Sequence, residues 1–233
     1  PLPNPPETKP GKAQTMLTLF ANMKGGTGKS TVVFNMAVWQ MTLGNNVTVC
    51  DLDPQQTVTD VAEIRREDGI EPALTVVHAL PEKGKARGTW LVDVGPSDMA
   101  SMRAAIRACQ QIVVPVTPSQ ADIWATQQFL NIVAEERAGS KLPTIVAFIN
   151  RADPHPLSRE NDEALEALQM LKNVQALPFK LVQRMAFRRS FSEGQAVFEL
   201  EPAGKAAAEL DALAGAIYGR GDTPALTETD LRS

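Results

Sequence analysis

The sequence predicts an α/β fold: a doubly wound, mostly parallel sheet with helices on both faces. Three observations predict it. Continuous Val/Ile/Leu runs of strand length alternate with helical stretches, the mark of strands buried on both faces. The first such run stops at a glycine-rich loop, GGTGKST at 25–31, that opens directly into a helix. The polar residues of chemical interest (24–30, Asp51, Asp53, Asp93 and Asn150) fall at the carboxyl ends of these runs, where open parallel sheets bind ligands.

Each element has its own justification. LTLFAN at 17–22 is a β-rich apolar strand, and TVVFNMAVWQMTLG at 31–44 is a helix apolar nearly all round, hence buried, stopped by Gly44. NVTVCD at 46–51 is the next strand, followed by a turn at Pro54 and a helix near 58–66. Strands are expected at 74–79, 89–94, 111–116 and 143–150, with helices near 98–109 and 120–137 between them. A helix at 158–172, a short strand VQALP, and helices near 183–192 and 203–218 complete the body, 16–220.

The first fifteen residues carry five prolines among their first ten positions and little to bury. They read as a disordered arm or an expression remnant, with Met16 a possible natural start. The tail at 221–233 is equally polar.

Composition narrows the function classes. A net charge of −4 rules out a general polycation, so any nucleic-acid contact must come from a local patch. Cys50 and Cys109 lie far apart without metal-ligand spacing and read as core thiols of a reducing compartment. No apolar run has the length of a membrane span and no signal peptide is evident, so the expected location is cytoplasmic.

The loop carries the chemistry. Gly25, Gly26 and Gly28 let backbone N–H groups curl toward phosphate oxygens, and the helix opening at Ser30 adds its positive dipole end. Lys29 is placed to reach the β- and γ-phosphates and the Ser30 hydroxyl to ligate Mg2+. Thr27 and Thr31 complete the nucleotide-binding stretch. The usual pattern G-x-x-x-x-G-K-[ST] would put glycine at Met23; this chain has Met23 followed by a second lysine, Lys24.

KGGTGKST resembles the deviant Walker A box of the ParA/MinD family of ATPases, K-G-G-x-G-K-[ST]-[ST], whose signature is that extra lysine. The resemblance implies a P-loop NTPase that uses ATP and Mg2+ and forms a face-to-face homodimer when ATP-bound. Lys24 then reaches the phosphates of the partner's site, as an arginine finger does, an arrangement worth about a thousandfold or more in rate. A solvated lysine beside a tight turn is the plain alternative. VTVCDLDPQQT resembles the family's Walker A′ box. This implies that Asp53 orients the attacking water and Asp51 supports Mg2+, with turn capping the alternative for Asp53. TWLVDVGPS resembles Walker B, with Asp93 holding Mg2+ through water. FINRADP matches the family's N-R at a strand end, which implies that Asn150 bonds adenine while Arg151 stacks on the ring or faces solvent. The loop holding Pro178 is where the family completes the base pocket.

FKLVQRMAFRRSFSEGQAVFE resembles the family's R-x-[AF]…G-x-x-[VF]-x-E segment, near which ParA-type members bind double-stranded DNA without sequence preference. Lys180, Arg184, Arg188 and Arg189 are the candidates, with Arg184 and Arg188 one helical turn apart. A solvated face or local salt bridges is the alternative. The resemblance implies a nucleoid-associated positioning or partition ATPase, activated by a ParB-like or cargo-adaptor protein. A MinD-like membrane switch would need an amphipathic basic helix at the C-terminus, which TPALTETDLRS does not supply. A metabolic or metal-cluster relative would need cluster cysteines that the chain lacks.

Overall fold

The computed structural model describes residues 16–155 and 158–219. The arm expected at 1–15 and the tail at 221–233 lie outside the described residues. Seven strands form one sheet: β1 (Met16–Phe20), β2 (Val47–Asp51), β3 (Thr75–Val77), β4 (Thr89–Asp93), β5 (Gln111–Val116), β6 (Thr144–Ala152) and β7 (Gln175–Val182). Their order is β3-β2-β4-β1-β5-β6-β7, and every pair is parallel. The order turns back beside β1, which has β4 on one side and β5 on the other. That reversal opens a crevice beyond the carboxyl end of β1, where the glycine loop begins.

The helices are α1 (Lys29–Thr42), α2 (Thr57–Glu67), α3 (Met99–Ala108), α4 (Gln120–Glu136), α5 (Glu160–Gln169), α6 (Met185–Ser192), α7 (Val197–Leu200) and α8 (Lys205–Tyr218). Because successive strand residues point to opposite faces, the sheet feeds two cores. Phe20, Val113 and Phe148 pack with α1, α6, α7 and α8, whereas Leu19, Ile112 and Ile149 pack with α3, α4 and α5. Helix α1 is buried from Val32 through Gln40, as its all-round apolarity predicts. The indole of Trp39, part of that stretch, donates to Asp211 on α8.

Two elements depart from expectation. Strand β7 continues through Pro178 to Val182, and α7 is an additional single turn. Proline is tolerated there because β7 is an edge strand, where a missing N–H breaks no central ladder. Pro178 is therefore in a strand and not in a loop at the base pocket, and it lines neither cavity described below.

One buried charge ties distant segments. Arg65 near the end of α2 is fully buried; it donates to the carbonyls of Pro72 and Gly194 and forms a two-pronged pair with Glu199 of α7 at 2.7 and 2.8 Å. Gly194 has φ 65°, and a Cβ there would fall 2.7 Å from the Arg65 amide nitrogen, so this position requires glycine. No helix among the described residues is long and apolar enough to cross a membrane.

Candidate functional site

The glycine loop joins β1 to α1, with Gly26 at φ 75° and Gly28 at φ 81°, a region that disfavours side chains. The end of β6 grips it. Asn150 Nδ2 donates to the Thr27 carbonyl at 2.6 Å and Arg151 Nη1 to the Gly26 carbonyl at 2.6 Å. A Cβ at Gly28 would stand 2.7 Å from Asn150 Nδ2. Across a trans peptide the N–H points opposite to the C=O, so the N–H groups of Thr27 and Gly28 are turned away from β6. The loop is thus held with two donors free for a phosphate.

Two cavities flank this grip. A polar one of about 390 Å3 is lined by Gly25, Lys29, Ser30, Asp53 and Pro96, among others. A more apolar one of about 430 Å3 is lined by Val32, Asn150, Leu181, Phe187, Arg188 and Phe191, among others. Gly28, Thr31 and Arg151 border both. A polar chamber at the glycine loop next to a more apolar chamber, with three lining residues in common, suits the two ends of a nucleotide. Since Asn150 must turn its nitrogen toward a carbonyl, its oxygen is left as an acceptor, which suits an exocyclic amino group.

The acids at the strand ends differ sharply. Asp51 and Asp93 are register partners on β2 and β4, and both are buried. Asp51 accepts from the Thr59 amide and hydroxyl at 3.0 and 2.8 Å and from the Asp53 amide at 3.2 Å, so it braces the turn that carries Asp53. Both oxygens of Asp93 lack any partner in hydrogen-bond geometry among the described residues. Burial pushes its pKa up to about 7; the nearby Ser30 hydroxyl and Lys29 ammonium pull it down, and Asp51 and Asp53 push it up. Such an orphaned carboxylate beside Ser30 fits a divalent cation, which would satisfy it and favour its ionised form. Asp53 accepts the Gln55 amide at 3.0 Å, a turn cap, and also lines the polar cavity. Its carboxylate lies so close over Gly95 that a Cβ there would be 3.0 Å away.

Lys24 goes elsewhere. Its ammonium sits 2.6 Å from Asp122 in the first turn of α4, and it lines neither cavity. Burial tends to raise the Asp122 pKa, but bonds from Lys24 and Ser119 outweigh it and hold the carboxyl below its ordinary value.

The basic stretch is divided by the structure. Arg184 has extended backbone (φ −115°, ψ 146°) and precedes α6, so it does not share a helical face with Arg188. Its guanidinium is bound to Glu209 of α8 at 2.5 Å. Arg188 is exposed at the apolar cavity, and Arg189 lies 3.8 Å from Glu193 and 3.7 Å from Glu201. Lys180 is exposed on β7. Cys50 and Cys109 are free and buried, their thiols pushed by burial to about 12 and about 11, so neither is a reactive thiolate at neutral pH. No group of three or more His, Cys, Asp or Glu placed to hold a metal occurs among the described residues.

Sequence reading missed Asp122, Thr59, Glu209 and the Phe187–Phe191 wall. Ser119-x-x-Asp122 carries only the signal of a helix cap, and Lys24 lies 98 residues away.

The fold and this seat define a phosphate-loop nucleotide-binding protein. The chain belongs to the CobQ/CobB/MinD/ParA nucleotide-binding domain family, whose profile matches residues 18–197. It is 28% identical over 198 residues to the maintenance of carboxysome distribution protein A of Halothiobacillus neapolitanus, covering 81% of this chain and 89% of that protein. It is 30% identical over 165 residues to the chromosome-partitioning ATPase Soj of Thermus thermophilus, covering 55% of this chain and 65% of Soj. Among solved structures, the septum site-determining protein MinD of Pyrococcus horikoshii with Mg-ADP superposes with a TM-score of 0.67 at 18% identity, over 88% of this chain and 96% of MinD.

Proposed function

We propose that this protein is an Mg2+-dependent, ParA-type ATPase that dimerises on ATP, holds double-stranded DNA without sequence preference, and positions or segregates a cargo. A ParB-like or cargo-adaptor activator would stimulate hydrolysis and so release the DNA. The likeness to a carboxysome-distribution protein and to a chromosome-partitioning ATPase supports a cargo of either kind.

Each residue has a task in this reading. The Thr27 and Gly28 amides and Lys29 bind the phosphates. Asn150 offers its oxygen to the adenine amino group, and Arg151 fixes the loop between base and phosphate. Ser30 and Asp93 would hold magnesium, which when bound neutralises charge on the phosphate oxygens. Asp51 braces the turn, and Asp53 orients water toward the terminal phosphorus. Lys24 is supplied by the second copy. For DNA, Lys180 and Arg189 are the better candidates; Arg188 borders the nucleotide seat, and Arg184 is neutralised by Glu209.

The observation that carries the reading is a phosphate-loop lysine that does not face its own phosphate cavity. DNA retention measured with ATP, ADP and no nucleotide tests it, alongside Lys24→Ala. Retention is expected with ATP alone, and Lys24→Ala is expected to bind nucleotide while losing dimerisation and stimulated turnover. Retention indifferent to nucleotide, or full turnover without Lys24, would overturn it.

A further inference from the structure

Helix α2 begins at one chamber of the seat and ends against the helix that walls the other. Its first residue, Thr57, lines the polar chamber with Asp53, and the Thr59 amide and hydroxyl are bonded to Asp51 at 3.0 and 2.8 Å. Arg65 lies two turns further on, about 12 Å along the axis. Its backbone abuts the end of α6: a Cβ at Gly194 would fall 2.7 Å from the Arg65 nitrogen and 2.8 Å from its Cα. The buried guanidinium donates from Nε to the Pro72 carbonyl at 2.9 Å and from Nη1 to the Gly194 carbonyl at 3.0 Å. Nη1 and Nη2 also reach the two oxygens of Glu199, one of which accepts the Ala196 amide at 2.7 Å. From α7 the Val197 amide donates to Asn35 Oδ1 at 2.8 Å, and Asn35 Nδ2 donates to the Thr31 carbonyl at 2.8 Å. Thr31 borders both chambers, and Phe187 and Phe191 of α6 line the apolar one. Arg65 therefore joins three helices: the one that follows the Asp53 turn, the one that walls the base chamber and, through α7, the one that opens from the phosphate loop.

We propose that Arg65 is a positioning residue that fixes the Asp53 turn relative to the apolar wall, so that filling the base chamber raises turnover and not affinity alone. This rests on the hydrolytic role given to Asp53 above. The guanidinium is a planar fork bonded on both prongs, and it is fully buried. A shift of α6 against α2 would break bonds of a buried charge, a costly state. The two helices therefore hold one relative position. A base seated against Phe187 and Phe191 restrains α6, and that restraint reaches the Asp53 turn through the single rigid helix α2. A carboxylate that orients water works by its position, so contacts remote from the terminal phosphorus are realised in the rate. An ion pair that served stability alone would act equally on every substrate.

Arg65→Lys keeps the charge and loses the fork. The full chain with Mg2+ is compared on ATP and on inorganic tripolyphosphate, which offers the phosphates without a base. Wild type at saturation is expected to turn over ATP about tenfold faster than tripolyphosphate. In Arg65→Lys the saturated rate on ATP is expected to fall about tenfold, with Kd for ATP within about twofold of wild type and the rate on tripolyphosphate unchanged. Losses of equal proportion on the two substrates would mark a purely structural role and overturn the proposal. Unchanged ATP turnover in the variant, or equal wild-type rates on the two substrates, would overturn it as well. If Arg65→Lys does not fold, Glu199→Gln, which keeps an acceptor for the Ala196 amide, should give the same split by less. No split there also defeats the proposal. Wild-type protein that releases no phosphate from ATP would defeat the ATPase reading itself, whereas ATP turnover without the split defeats only the role of Arg65.

Discussion

The phosphate loop and the α6–α7 segment both carry a glycine-bearing motif and clustered cations, yet they are organised by different forces. In the loop the working groups are backbone amides, and their direction follows from glycine torsions and from two carbonyls pinned by Asn150 and Arg151. In and around α6–α7 the working groups are side-chain charges, and apart from Arg188 each is defined by the carboxylate opposite it. Arg65 is enclosed with Glu199, Arg184 is tied to Glu209, and Arg189 is loosely shared by Glu193 and Glu201. Backbone chemistry is specified locally; charge chemistry is specified by whatever the fold brings near.

Three substitutions would break or sharpen that contrast. The largest effect is expected at the enclosed pair. Arg65→Met leaves Glu199 unpaired beside the bare Pro72 and Gly194 carbonyls, a loss of about 3–5 kcal/mol. The thermal midpoint should fall by about 10 °C in a protein of this size. A fall of a degree or two would mean that packing, and not charge, holds this segment. A middle effect is expected from Arg188→Ala, which should weaken nucleotide binding about fivefold through lost stacking on the base while DNA retention at saturating ATP stays near wild type. The reverse pattern would return Arg188 to the DNA face. The smallest belongs to Glu209→Gln, which keeps an acceptor for the Val182 amide but frees the Arg184 charge. DNA binding should tighten, and the slope of log affinity against log salt should steepen by about one. No change in slope would place Arg184 outside the DNA surface even when unpaired.

The same contrast explains what the sequence disclosed. The strands were legible because both-face burial writes itself as unbroken Val/Ile/Leu, and the loop because its spacing of glycines and lysine is local. Strand β7 was only half legible, since Pro178 ordinarily ends a strand and only the edge position of β7 permits it. The two Walker-type aspartates on neighbouring strands look alike as letters. Only the fold separates Asp51, held by its Thr59 donors, from Asp93, which has Ser30 and Lys29 nearby but neither in hydrogen-bond geometry. Arg184 and Arg188 have helical spacing in the sequence, but the helix starts between them. Asp122, Glu209 and Glu199 could not be matched to Lys24, Arg184 and Arg65 because each pair is separated by 25 or more residues.

Arg151 borders both chambers while holding the Gly26 carbonyl. Appetite for a given heterocycle and grip on the polyanion are therefore not independent traits in this chain. Any redesign toward an unnatural nucleotide should carve at Phe187 or Phe191, which line the apolar chamber alone, because trimming the shared guanidinium would slacken the anion cradle at the same stroke.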